Sequence, residues 1–197
     1  WEPVTGWQDI DGNRYYFRDD GALCTGWQAI ESQVYYLGTD GCLATGWLDP
    51  DGERYYLGAD GILHTGWQNI GDQCYYFAED GKMITGIMIE HGAAYLFDAQ
   101  GQLSTGWVTL DGKNYYADEN AHPLFGWVEI DGRKHYFDET GAAASGWVML
   151  DGFAYYFYTD GTPAQGKELI DGQTHYFASN GQELVLVNPW HFVPEDY

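Results

Sequence analysis

The stretch "TGWQDIDGNRYYF", residues 5–17, sets two short aromatic-rich runs, GWQDI and NRYYF, on either side of Asp11-Gly12. Asp-Gly between two such runs signals a two-residue hairpin turn, because both central residues of that turn take positive φ. The turn then fixes the register: residue 10 faces 13, 9 faces 14, 8 faces 15, and Trp7 faces Tyr16. By two-residue alternation Trp7, Asp9, Arg14 and Tyr16 share one face of the hairpin, and Ile10, Tyr15 and Phe17 share the other. The second face reads as core and the first as a site. Asp-Gly returns at Asp51, Asp111, Asp131, Asp151 and Asp171, and each is expected to close a hairpin in the same way.

Working outward, Gly6 is followed by Gly at 26, 46, 66, 86, 106, 126, 146 and 166, so the chain is nine units of 20 residues starting near 5, 25, 45, 65, 85, 105, 125, 145 and 165. A unit that short cannot bury an apolar face alone, so the period points to a solenoid in which each unit covers its neighbour. A second turn signal, as in RDDGAL and GTDGCL, reverses the chain toward the next hairpin and leaves no room for a helix. The expected fold is all-β, a β-hairpin solenoid forming one elongated domain over residues 1–184. Residues 185–197 break the period and read as a cap or linker.

With 30 acidic and 8 basic residues the net charge is -22, which sets nucleic acid aside as a partner by simple repulsion. No apolar run is long enough for a membrane span, so membrane insertion is not expected. Most carboxylates stand at turn positions such as Asp11, Asp20, Asp51, Asp60, Asp111 and Asp160, where Asp favours tight turns. Cys24, Cys42 and Cys74 fall at three different phases of the repeat and form no repeated device. Whether Cys24 and Cys42 pair stays open. The six histidines lack zinc-peptidase spacing, and His135 and His175 only replace the first Tyr of the pair. No nucleophile elbow or phosphate loop is present. The expectation is a chain that binds and does not react, with no catalytic residue, no metal and no cofactor.

The chemistry-bearing residues are the aromatic pairs on the first face: Trp7, Trp27, Trp47, Trp67, Trp107, Trp127 and Trp147, opposite Tyr16, Tyr36, Tyr56, Tyr76, Tyr116, Tyr136 and Tyr156. Exposed aromatic faces beside carboxylates hold sugars and cage quaternary ammonium groups. Trp is also rarely fully buried, and a plain packing role competes with the binding role at these positions. Ile87 and Lys167 stand where the fifth and ninth units would have Trp.

The pattern TGWxxIDGxxYYFxxDGxLxTGW resembles the cell-wall-binding repeats of Gram-positive surface proteins, the family of choline-binding modules, glucan-binding domains and clostridial toxin repeats. The resemblance spans residues 5 to about 184 and implies ligands held between consecutive hairpins, in an extracellular, wall-associated protein whose partner is a wall polysaccharide or teichoic acid. In choline-binding repeats a further Trp precedes the Tyr pair. Here that position holds Arg14, Val34, Arg54, Cys74, Ala94, Asn114, Lys134, Ala154 and Thr174. The loss argues against choline and toward saccharide-binding repeats of the glucan or toxin type. The tail LVLVNPWHFVPEDY, residues 184–197, is similar to the opening of D-alanyl-D-alanine carboxypeptidases, which implies a covalently linked zinc peptidase domain after Tyr197 that the repeats would target. A structural spacer or host-protein adhesion arm is the competing class.

Overall fold

Residues 3–184 are described by the computed structural model, so the expectations placed on residues 185–197 lie outside the described residues. Eighteen strands follow one another as hairpins: β1 (Gly6–Ile10) and β2 (Asn13–Phe17), β3 (Gly26–Ile30) and β4 (Gln33–Leu37), β5 (Gly46–Leu48) and β6 (Tyr55–Leu57), β7 (Gly66–Ile70) and β8 (Gln73–Phe77), β9 (Gly86–Glu90) and β10 (Ala93–Phe97), β11 (Gly106–Leu110) and β12 (Lys113–Ala117), β13 (Gly126–Ile130) and β14 (Arg133–Phe137), β15 (Gly146–Leu150) and β16 (Phe153–Phe157), and β17 (Gly166–Ile170) and β18 (Gln173–Phe177). Each pair is its own two-stranded sheet, and the described residues contain no helix.

The register read from Asp11-Gly12 is the one observed: Trp7 lies opposite Tyr16, Gln8 opposite Tyr15, Asp9 opposite Arg14 and Ile10 opposite Asn13. Asp11 and Gly12 have φ of 50° and 82°, the paired left-handed residues that the turn demands. Asp111, Asp131, Asp151 and Asp171 repeat it, and Glu31-Ser32, with φ of 49° and 67°, reaches the same geometry without the dipeptide. Asp51-Gly52 departs from the expectation. Only Gly46 to Leu48 pairs with Tyr55 to Leu57, and a wider loop joins them. The cause is Pro50, which has no N–H to give residue 53 and a fixed φ that cannot continue the strand. Asp51 turns its carboxylate to the loop instead, accepting from the Glu53 N–H at 3.2 Å and the Tyr55 hydroxyl at 3.3 Å.

After each hairpin the chain makes its second turn. There Asp20, Asp40, Asp60, Asp80 and Asp160 accept the N–H two residues on, and Asp98, Asp118 and Asp138 do so two positions earlier in the repeat. The returning segment then bridges its own hairpin, as Leu23 does to Phe17 and Leu43 to Leu37. It also reaches the hairpin before it: Leu43 N–H donates to the Arg14 carbonyl, Leu63 to Val34, Met83 to Arg54, Leu103 to Cys74, Ala143 to Asn114 and Glu183 to Ala154, all within 2.7–2.9 Å. Pro123 and Pro163 occupy this donor position and have no N–H. At those two places other rungs close, Leu96 N–H to Ala121 and Tyr136 N–H to Gly161, both at 2.9 Å.

The largest fully buried side chains recur at one phase of the repeat. Leu37, Leu57, Phe77, Phe97, Phe137 and Phe157 are at most 1% exposed, and all stand at the phase of Phe17. By contacts the chain divides into two compact units, one reaching to Ile89 together with Phe97–Leu103, the other holding Glu90–Leu96 and the residues from Ser104 onward. Cys24, Cys42 and Cys74 are free thiols, so no bridge joins Cys24 to Cys42.

Glycine at the second turn answers to two demands. Gly81 has φ of 83°, and a Cβ added there would lie 2.8 Å from Leu63 Cγ, whereas Gly66, at φ 67°, has nothing within 4 Å of that point. Gly66→Ala therefore meets only the left-handed backbone cost of about 1–2 kcal/mol. Gly81→Ala adds overpacking, typically about 1–3 kcal/mol, and is expected to be the more destabilising by that amount in urea unfolding. Equal losses would show that Leu63 gives way freely.

Candidate functional site

The Trp face of one hairpin meets the next hairpin, so the division into a core face and a site face holds only in part. Trp7 packs edge-on against Tyr16 of its own hairpin at 5.1 Å between ring centroids and against Tyr35 of the following one at 5.0 Å. The same trio forms at Trp27 with Tyr36 and Tyr55, Trp47 with Tyr56 and Tyr75, Trp107 with Tyr116 and His135, Trp127 with Tyr136 and Tyr155, and Trp147 with Tyr156 and His175. Trp67 lies 5.2 Å from Tyr76 and 5.7 Å from Phe97. Edge-on contact is the favoured geometry for such rings.

Beneath, the indoles rest on the core: Trp107 on Phe137, Trp127 on Phe157 and Trp147 on Phe177, at 5.6–5.9 Å. Support from below and rings at the edges hold each indole in one orientation. Trp107, Trp127 and Trp147 remain 42–43% exposed. Every Trp and Tyr singled out in the sequence thus lies beside its expected partner. Missed were the rings from the following hairpin, Tyr35, Tyr55, Tyr75, His135, Tyr155 and His175, which had been assigned to the core. An aromatic at that phase in every unit was the available signal.

Where His replaces the Tyr, a hydrogen bond sets its plane. His135, 5% exposed, donates from Nδ1 to the Asp160 carbonyl at 2.8 Å, because that oxygen can only accept. The Asp160 carboxyl faces a burial penalty, yet the Thr162 hydroxyl and N–H, at 2.6 and 3.0 Å, and the nearby His135 outweigh it and hold its pKa below the ordinary value. His175 Nδ1 lies 2.7 Å from Glu183 Oε1. Burial, with the Asp51 carboxylate second, pushes the Tyr55 phenol above its usual pKa and keeps it neutral. Beside the trio at Trp107 opens a cavity of about 390 Å³, lined further by Ile130, Asp131, Arg133 and Asp160. No group of three or more metal-ligating side chains occurs among the described residues.

The position before the Tyr pair differs sharply between units. The Arg14 guanidinium carbon lies 4.9 Å above the Trp7 ring and that of Arg54 4.7 Å above Trp47. Asn114 is tied up by hydrogen bonds, accepting from the Thr109 hydroxyl and donating to the Thr159 carbonyl.

Among solved structures, that of CbpJ from Streptococcus pneumoniae TIGR4 is 29% identical, with 93% of this chain and 72% of that chain covered and a TM-score of 0.66. CbpF in complex with ipratropium is 26% identical over 94% of this chain and 73% of that one, TM-score 0.64. Choline binding protein F from Streptococcus pneumoniae in the presence of a peptidoglycan analogue is 25% identical over 92% and 87%, TM-score 0.52. No curated protein matches the sequence. The model of the choline-binding repeat matches residues 24–61, 64–104 and 124–162, and that of the putative cell wall binding repeat matches 5–23 and 105–120. These matches end at residue 162 and lend no support to the peptidase resemblance of the tail. They also favour the choline-binding type over the glucan and toxin types to which the missing Trp had pointed. With more than half of its length matched by that model, the chain belongs to the choline-binding repeat family.

Proposed function

We propose that the nine repeats act as one attachment module for the Gram-positive cell wall, and that the indole faces take quaternary ammonium groups, of the choline kind, carried by wall polymers such as teichoic acid. The observation that carries this is the placement of Arg14 and Arg54: where the chain has a planar cation within reach, it lies over the indole at less than 5 Å, the position a ligand ammonium would take. The net charge of -22 draws cations toward the surface as well. One relative, choline binding protein F, has been solved in complex with ipratropium and in the presence of a tetrasaccharide-pentapeptide peptidoglycan analogue. Absence of the further Trp before the Tyr pair leaves the indole and the ring of the following hairpin as the walls of each site.

Two or three aromatic faces at about 0.5–2 kcal/mol each support a site of about millimolar affinity. An acidic chain binds any anion exchanger, so retention on one decides nothing. The test is a titration with choline chloride at constant ionic strength made up with sodium chloride, followed by Trp fluorescence. Saturation at about millimolar choline is expected. A flat response to choline, with saturation by glucan or by teichoic-acid-stripped wall, would give the sites to saccharide; a flat response to all three would leave a spacer.

A further inference from the structure

We propose that Arg14 and Arg54 are internal ligands: each fills the cation position of its own repeat, so the first and third repeats are closed to external ammonium groups and capture falls to repeats without such an arginine. The inference rests on the reading of the indole faces as ammonium sites, and it assigns which of them work.

Three features hold each guanidinium in place. Its central carbon lies over the indole, 4.9 Å from the ring centroid for Arg14 and 4.7 Å for Arg54. Its Nε lies 3.7 Å from a carboxylate on the facing strand or loop, Asp9 and Asp49 respectively. Its backbone carbonyl accepts the inter-repeat rung, from Leu43 for Arg14 and from Met83 for Arg54, both at 2.8 Å. In the first repeat Asp9 and Arg14 are paired across the ladder, but in the third Pro50 has cut the strands short of Asp49 and Arg54. The same stack and the same ion pair form regardless. Attraction between guanidinium, indole and carboxylate therefore makes the arrangement, and strand pairing is not needed for it.

Lys134 supplies an internal contrast. It stands at the same phase, opposite Glu129 and beside Trp127. Among the described residues it makes no ion pair, and Trp127 stays 42% exposed. A compact, strongly hydrated ammonium on a flexible stem does not lie flat on a ring as a planar guanidinium does. Trp7 and Trp47 are part-buried, as is Trp27, whose repeat has Val34 at that phase. A tethered cation also acts at an effective concentration of about millimolar or above, which matches or exceeds what a site of millimolar affinity needs for occupancy. Free choline thus meets these two indoles already covered.

Arg14→Gln with Arg54→Gln removes both internal cations at positions where other repeats tolerate Val, Cys, Asn, Ala and Thr. Calorimetric titration with choline is expected to show one more binding equivalent for each arginine removed, with the original sites unchanged. In the free wild-type chain, proton NMR should find the side-chain signals of Arg14 and Arg54 shifted upfield by the indole ring currents, and saturating choline should leave those shifts in place while moving the indole N–H signals of Trp107, Trp127 and Trp147. Unshifted arginine signals, loss of the shifts on choline addition, or a double variant with no added equivalents would each overturn the inference. If wild-type chain ignores choline but the double variant binds it, the internal-ligand assignment stands and the proposal for the remaining sites fails; if neither binds, both fail.

Discussion

Phe137→Ala is expected to lower stability by about 3–5 kcal/mol, the largest effect of any single truncation considered. Phe137 is fully buried, carries the indole of Trp107 at 5.9 Å and lies against His135 at 6.5 Å. Stability in repeat arrays is roughly a sum of unit and nearest-neighbour terms, so the loss should be local at first, with the trio at Trp107 disordering before more distant repeats. Phe153, 51% exposed at the hairpin tip, is the control, with an expected change within about 0.5 kcal/mol for its replacement by Ala. Urea denaturation followed by Trp fluorescence measures both. A loss under about 1.5 kcal/mol for Phe137→Ala would mean that neighbouring repeats collapse into the space.

The second large effect belongs to binding. Trp107→Ile, Trp127→Ile and Trp147→Ile combined are expected to weaken attachment to purified wall sacculi by about 10²–10⁴, because linked sites meet a polymer at high effective concentration and lose that advantage together. Any one replacement should leave most of the retention in place. Isoleucine is the chosen substitute because the chain itself uses it at this phase: Ile87 stands where Trp would be, in a repeat that still forms β9 and β10. The fold is thereby kept while the face is removed. A co-sedimentation isotherm for wild type, single and triple variants measures this, and a triple variant that binds walls as tightly as wild type would remove the indole faces from the attachment.

Much of this was legible in the sequence because it is local. The hairpin and its register follow from Asp11-Gly12 and two-residue alternation, and both require only residues 6–17. The burial of the Phe17 phase follows from the same alternation. Pro50 was equally visible, but the recurring Asp-Gly at residue 51 masked its effect, and the turn signal lost to the missing donor. What alternation cannot give is the neighbour across the stack. Which ring meets Trp7 depends on how one hairpin is rotated on the next, and that rotation is set by the rungs from Leu43 and its equivalents, not by any pattern within a unit. Tyr35 and its equivalents were therefore placed in the core alone. The reach of Arg14 onto Trp7 escaped for a related reason: at that position it was read only as the loss of a Trp, and only the side-chain geometry turns it into occupation of the site.

The fit of each second-turn glycine beneath a side chain of the preceding repeat bears on how such a gene can change length. Gly41 lies against Leu23, Gly61 against Leu43, Gly81 against Leu63 and Gly181 against Pro163, so the residue that demands the glycine and the glycine itself sit in adjacent units. Unequal crossing-over between repeats that keeps the reading phase sets a glycine under that side chain again, except where the sixth repeat, with Ala121 at this phase, is moved. A crossover out of phase sets larger side chains at a phase where eight of nine repeats have glycine and the other has Ala121. Selection on the folded product would then favour alleles that differ by whole repeats, and the number of wall contacts can drift between strains while the architecture stays fixed.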